Sequence, residues 1–244
     1  MPEKYFDANC MLGPWHTKLK FSSAKELVKQ MNYYKIKKAL VYHSLAVKHS
    51  VAKGNKELLK EISKYKNTLY PCFLLTPSCT LENGNVYGLA QELDKYKVKA
   101  ARVYPSMQSF ELKIWQMGDI YALLEAKKIP LFIPLGETNY NDIYEICKNF
   151  PKLPIVLSNT TYRTTRVMYQ LLQDFDNFHI EISTFVMFNG INDVVKRFGS
   201  EKLLFGSYMP FLDPARAIAM VKHAKISTEA KQDIAHRNFE RLIG

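Results

Sequence analysis

Eight short apolar runs rich in Val, Ile, Leu and Phe recur along the chain, each followed by a longer segment with apolar residues at helical spacing. The runs fall near residues 4–9, 38–43, 69–75, 98–104, 130–135, 153–158, 178–183 and 203–207. A strand can meet a parallel neighbour only through a crossover connection, so this alternation predicts a parallel sheet covered by helices. Eight such units in about 250 residues match a (β/α)8 TIM barrel. The 244 residues therefore read as a single domain, 1–244, with an extra C-terminal helix starting near Ser227. A doubly wound open sheet is the structural rival, because strand count alone does not prove closure. Helix starts are marked by Ser22-Ser23, Asn139 and Asp213-Pro214. The Gly54-Asn55 pair reads as a turn and helix cap.

Lys and Arg number 34 against 23 Asp and Glu, giving a net charge of +11 that attracts anions. The lysines are dispersed along the sequence, so nucleic acid is a disfavoured partner and a small anionic molecule is preferred. Cys10, Cys72, Cys79 and Cys147 form no C-x-x-C pair and read as buried thiols of a reducing compartment. No apolar run approaches membrane-spanning length, so the expectation is a cytoplasmic protein without a membrane partner. A homodimer is compatible with the lysine-rich helices.

Four stretches carry a resemblance: Phe6-Asp-Ala-Asn-Cys-Met-Leu-Gly13, Phe150-Pro-Lys-Leu-Pro-Ile-Val-Leu157, Glu201-Lys-Leu-Leu-Phe-Gly-Ser-Tyr-Met-Pro210 and Ile234-Ala-His-Arg-Asn-Phe-Glu-Arg-Leu-Ile243. Together and in this order they resemble the amidohydrolase superfamily, in its branch of decarboxylases and lactonases. The resemblance implies a metal-dependent-hydrolase fold and a first strand bearing Asp-x-His-x-His, whose histidines bind a divalent metal. Those two positions are Asn9 and Met11 here. The fifth-strand and sixth-strand histidines align with Pro134 and Asn159, and the last-strand aspartate with Tyr208. With all five positions changed, the usual zinc or manganese site is expected to be lost and no cofactor is expected. A displaced site built from Asp7, His43, Glu137 and Glu181 is a weaker alternative.

Barrel enzymes place reacting groups at the C-terminal strand ends, and strand alternation indicates which side chains point inward. Ala100, Arg102 and Tyr104 share one face, as do His179, Glu181 and Ser183. Asp7 and Asn9 are read as sharing a face of the first strand. Arg102, a planar fork suited to a carboxylate, is the leading binding residue; an internal ion pair with Glu181 is the bland alternative. Tyr104, Asn9, Asn159, Arg163 and Tyr208 are further substrate-binding candidates. His43, Asp7 and Glu181 are the catalytic candidates for moving protons. Tyr208 equally suits plugging the former metal cavity, since a phenol titrating near 10 is a poor base at neutral pH. The resemblance implies a hydrolase or lyase, and with these residues the expectation is one that acts on a small carboxylate-bearing substrate without the usual metal. A non-catalytic anion binder on the same fold is the alternative.

Overall fold

The computed structural model describes Pro2 and residues 4–244. Eight strands run in order β1 (Tyr5–Leu12), β2 (Ile36–His43), β3 (Leu69–Leu74), β4 (Ala100–Arg102), β5 (Leu131–Pro134), β6 (Ile155–Ser158), β7 (Phe178–Glu181) and β8 (Leu203–Leu204). Each pairs in parallel with the next in sequence. The seam between first and last strands closes where Ala8 N–H donates to Phe205 O at 2.9 Å and Met11 N–H to Met209 O at 2.8 Å. Sequential order with a closed seam is a barrel, which removes the open-sheet alternative.

The helices are α1 (Ala24–Tyr33), α2 (Ser44–Lys48), α3 (Val51–Ile62), α4 (Cys79–Glu82), α5 (Val86–Lys95) and α6 (Ile114–Lys127) in the first half. The second half adds α7 (Tyr140–Asn149), α8 (Thr165–Asp174), α9 (Gly190–Phe198), α10 (Pro214–His223), α11 (Thr228–Gln232) and α12 (Asn238–Ile243). Ser23, Asn139, Asp213 and Ser227 accept backbone N–H groups at their helix starts, and Ser23 forms a full capping box with Glu26. Asn55 differs from its expected role. Helix α3 already begins at Val51 under a Ser50 cap, and Asn55 lies inside it, buried. Its amide exchanges two hydrogen bonds with the Leu74 backbone, 2.9 and 3.0 Å, tying α3 to the end of β3.

Two apolar layers follow from strand alternation. Tyr5, Cys10, Ala39, Val41, Ile180 and Ile182 pack outward against the helices. Phe6, Leu40, Tyr42, Cys72, Ala100, Phe132, Val156 and Leu204 fill the barrel. The closing helix α12 is held by Asn238, whose Nδ2 donates to Ser200 O at 2.6 Å and Leu203 O at 2.8 Å. It thereby inserts Phe239 among the interior rings, 4.8 Å from Phe6 and 6.1 Å from Phe132, both edge-on. The N-terminal end of the barrel is thus sealed by an apolar plug, leaving the polar interior toward the strand C-termini. Among the described residues, no helix is long and apolar enough to cross a membrane. All four cysteines are buried and unpaired.

Candidate functional site

Arg102 is fully buried at the end of β4, with its guanidinium carbon 4.5 Å from the Tyr42 ring and 5.1 Å from the Phe132 ring. Ala100, one pleat below on the same strand face, leaves the volume that the guanidinium fills. Arg102 Nη2 donates to Asn9 Oδ1 at 3.0 Å, and Asn9 Nδ2 donates onward to Glu181 Oε2 at 2.7 Å. The Asn9 amide therefore has only one workable orientation: its oxygen must face the cation and its nitrogen the carboxylate. Arg102 and Glu181 are joined through Asn9 and make no direct ion pair among the described residues. Arg102 Nη1 reaches Ser158 Oγ at 3.5 Å, and its Nε has no partner.

Glu181 is fully buried and accepts three donors: Ser183 N–H, Ser183 O–H at 2.9 Å and Asn9 Nδ2. Burial outweighs those bonds and pushes its pKa from 4.5 up to about 7. Gly206 is required beside it, because a Cβ there would stand 2.1 Å from Glu181 Oε1. His179, one pleat deeper on β7, is also interior; burial lowers its pKa to about 4. The neutral ring then donates from Nδ1 to Glu201 O at 3.1 Å.

Above Arg102, the Tyr104 hydroxyl donates to the Tyr42 hydroxyl at 3.1 Å. Tyr208 follows β8, half-buried, with its ring 4.7 Å from Phe211. Burial and the neighbouring Tyr104 hold its phenol pKa above the usual value, against the opposing pull of Asn159 and Arg102. Asn159 and Tyr208 both adopt left-handed backbone, φ 57° and 61°. For a tyrosine this conformation is sterically costly, and such outliers gather at functional sites.

The other sequence candidates lie elsewhere. A β-bulge between Asp7 and Cys10 interrupts the alternation of β1. Asp7 pairs in register with outward-facing Ala39, while the Asn9 side chain reaches the interior cluster. Asp7 Oδ1 accepts from Asn9 N–H at 3.1 Å and Ser207 N–H at 2.9 Å, securing the barrel seam. Burial raises its pKa to about 6. His43 pairs with outward-facing Leu12; its Nδ1 accepts from Leu45 N–H at 3.1 Å, capping α2, and its Nε2 lies 3.4 Å from Glu61. Arg163 sits exposed on the rim after β6, its Nε donating to the Tyr162 hydroxyl at 3.2 Å. Glu137 accepts from Met107 N–H at 3.1 Å, away from the cluster. Tyr42, Ser158 and Gly206 are contributors that the sequence reading passed over. Alternation from Leu40 would have placed Tyr42 inside, but nothing in sequence signals the close approach at Gly206.

As a donor set for a divalent cation, the mouth fits poorly. Both ends of the Asn9 amide are committed, Met11 lies in the apolar interior, Pro134 has no side-chain donor, and a guanidinium already contacts Asn9. Among the described residues, no three His, Cys, Asp or Glu side chains stand close enough to share an ion.

A family model described as Amidohydrolase matches residues 86–244. No curated protein matches the sequence. Among solved structures, the chain is similar to 2,6-dihydroxybenzoate decarboxylase from Rhizobium, with TM-score 0.80 and 13% identity, covering 99% of this chain and 98% of that one. It is also similar to a dihydroxybenzoic acid decarboxylase from Polaromonas, solved with bound manganese and the inhibitor 2-nitroresorcinol. That match has TM-score 0.75 and 13% identity, covering 100% of this chain and 97% of the other. A third, 4-oxalomesaconate hydratase from Rhodopseudomonas palustris, has TM-score 0.73 and 15% identity, covering 98% and 95% of the two chains. Identities this low establish a shared barrel and leave the chemistry to the site itself. With a family model spanning more than half of its length and every expected strand in place, the chain belongs to the amidohydrolase family.

Proposed function

We propose that the protein is a hydrolase or lyase acting on a small carboxylate-bearing molecule, with Arg102 supplying fixed positive charge at the barrel mouth and without a divalent metal. One observation carries this reading: Arg102 is a fully buried guanidinium with an unpartnered Nε and no contacting carboxylate. A buried charge of this kind is costly until an anion completes it, and the planar fork can grip a carboxylate with two hydrogen bonds. Tyr208 lies beside the cluster in left-handed backbone, close enough for Arg102 and Glu181 to influence its phenol.

Glu181 is the proton-handling residue in this reading. A carboxyl titrating at about 7 is divided between acid and base at neutral pH, so it can give or take a proton without a large thermodynamic penalty. Asn9 positions it relative to Arg102, and Tyr42 and Tyr104 offer hydroxyl groups to the substrate's polar atoms. The dihydroxybenzoate decarboxylases and the oxalomesaconate hydratase named above support the class of acidic substrate through their names. The unpaired thiols support a reducing compartment such as the cytoplasm.

The non-catalytic reading has one observation in its favour: Glu181 already accepts three hydrogen bonds, as a structural carboxylate does. A panel of small lactones, amides and carboxylic acids assayed before and after chelation separates the readings. Turnover that survives chelation and is lost in Arg102→Met and Glu181→Gln supports the proposal. Turnover that vanishes on chelation and returns with manganese overturns the metal-free part; carboxylate binding without any turnover favours the binder.

A further inference from the structure

The lysines that are dispersed in sequence recur at one structural position, the turn that ends a helix and enters the next strand. Lys35 precedes β2, Lys66 precedes β3, Lys97 and Lys99 precede β4, and Lys127 and Lys128 precede β5. The barrel collects these turns on its N-terminal face, opposite the end where Arg102 lies. Two clefts occupy that face, of about 610 and 500 Å³, and both are lined by Lys97 and Lys99. The larger has Tyr70 and Tyr96 in its wall and Lys66 on its rim; the smaller ends at Lys127 and Lys128. The two meet at Lys97 and Lys99, which line both. The only carboxylate side chain lining either cleft among the described residues is Asp94, already paired with Lys127 at 2.7 Å, and Lys99 Nζ donates to Ile243 O at 3.0 Å and Gly244 O at 3.2 Å, which leaves Lys66, Lys97 and Lys128 for a ligand.

The backbone at these turns adds a second observation. Lys35, Lys97 and Lys128 have left-handed backbone, with φ of 59°, 51° and 53°. Glycine occupies such helix-ending positions without steric cost, so three lysines there retain charge where conformation favours another residue. Lys97 and Lys128 both line the smaller cleft.

We propose that these adjoining clefts bind single-stranded nucleic acid, Lys66, Lys97 and Lys128 contacting phosphates and the outer edges of the half-buried Tyr70 and Tyr96, whose rings pack on Phe6 and Phe73, meeting bases. A basic track with tyrosines in its wall matches the chemistry of sequence-tolerant single-strand binding. It fits an anionic bilayer less well, because a planar surface cannot enter a groove and the tyrosines are half-buried in its wall. No arginine occupies the turns before β2, β3, β4 or β5, so the contacts are point charges without bidentate base reading.

The test is fluorescence anisotropy of the full chain with a labelled mixed-sequence RNA of about 15 nucleotides, titrated across salt. Each lysine–phosphate contact contributes about −0.7 to the slope of log affinity against log salt for a single strand. Replacing Lys66, Lys97 and Lys128 with Gln is therefore expected to flatten the slope by about 2 and weaken binding at low salt at least tenfold. Lys97→Gly with Lys128→Gly relieves the left-handed backbone, so that variant folds at least as well as the parent while binding RNA more weakly. Tyr96→Ala is expected to reduce affinity several-fold with little change in slope. Absence of RNA binding by the parent, equal binding by both lysine variants, or association with phosphatidylserine vesicles but not RNA would each overturn the proposal.

Discussion

Replacing Glu181 with Gln tests the electrostatics of the cluster with a change of one heavy atom. In the folded protein the carboxyl titrates at about 7, against an ordinary value of 4.5, so the native state holds its proton more tightly than the unfolded chain. Stability from this group is therefore greatest below pH 4.5, falls as pH rises through the interval to about 7, and is flat above it. Integrated from pH 5 to pH 8, the loss is about 2–3 kcal/mol. Glutamine has no such titration, but it introduces a mismatch. Its amide nitrogen, placed where Oε2 accepts from Asn9 Nδ2, meets a donor, and turning the Asn9 amide to suit it presents a donor to Arg102. One buried polar pair is left unsatisfied, at about 1–3 kcal/mol, at every pH. Glu181→Gln is thus expected to be destabilised at pH 5 and to recover by about 2–3 kcal/mol relative to the parent at pH 8. Urea unfolding at both pH values, monitored by fluorescence and circular dichroism, measures that double difference. A destabilisation independent of pH would refute the raised Glu181 pKa and, with it, the proton-handling role.

Three other predictions follow from single contacts. Gly206→Ala drives a methyl into Glu181 and is expected to cost about 1–3 kcal/mol in denaturant unfolding, with much of that recovered in the double variant with Glu181→Ala. Phe239→Ala empties the plug between Phe6 and Phe132 and is expected to cost about 3–5 kcal/mol, read as a lower urea midpoint with an unchanged slope. The mouth donor set predicts that purified protein carries zinc or manganese well below stoichiometry by elemental analysis, and that adding either ion leaves the melting temperature unchanged; stoichiometric metal coordinated at Asn9 would contradict this.

The barrel was legible because its evidence is repeated: each apolar run and each cap is weak alone, but eight in register leave few alternatives. The closing helix was legible from its start near Ser227 and from the resemblance of residues 234–243 to the family's asparagine-bearing closing helix, and Asn238 proves to be the residue that fixes it to β8. Inward placement of Arg102 and Glu181 followed from a period of two in uninterrupted strands. The same rule failed at Asp7, where one extra residue in β1 puts Asp7 and Asn9 in different environments. A bulge of this kind has no glycine or proline to announce it here. His43 lay one residue beyond the interior Tyr42, so a single step along β2 separates the ring under Arg102 from a helix cap. The Asn9 bridge could not be seen in sequence, since it joins strands that are distant along the chain and depends on which end of an amide faces a charge.

In the proposed function, Arg102 anchors a substrate carboxylate. Calorimetric titration of the protein with small carboxylates, benzoate and succinate among them, in buffers of different ionisation enthalpy tests it directly. Saturable binding with proton uptake near pH 7 is expected, as the incoming anion strengthens protonation of Glu181. A folded Arg102→Met variant is expected to lose affinity at least tenfold. Equal affinity in parent and variant, or no carboxylate binding by the parent, would contradict it.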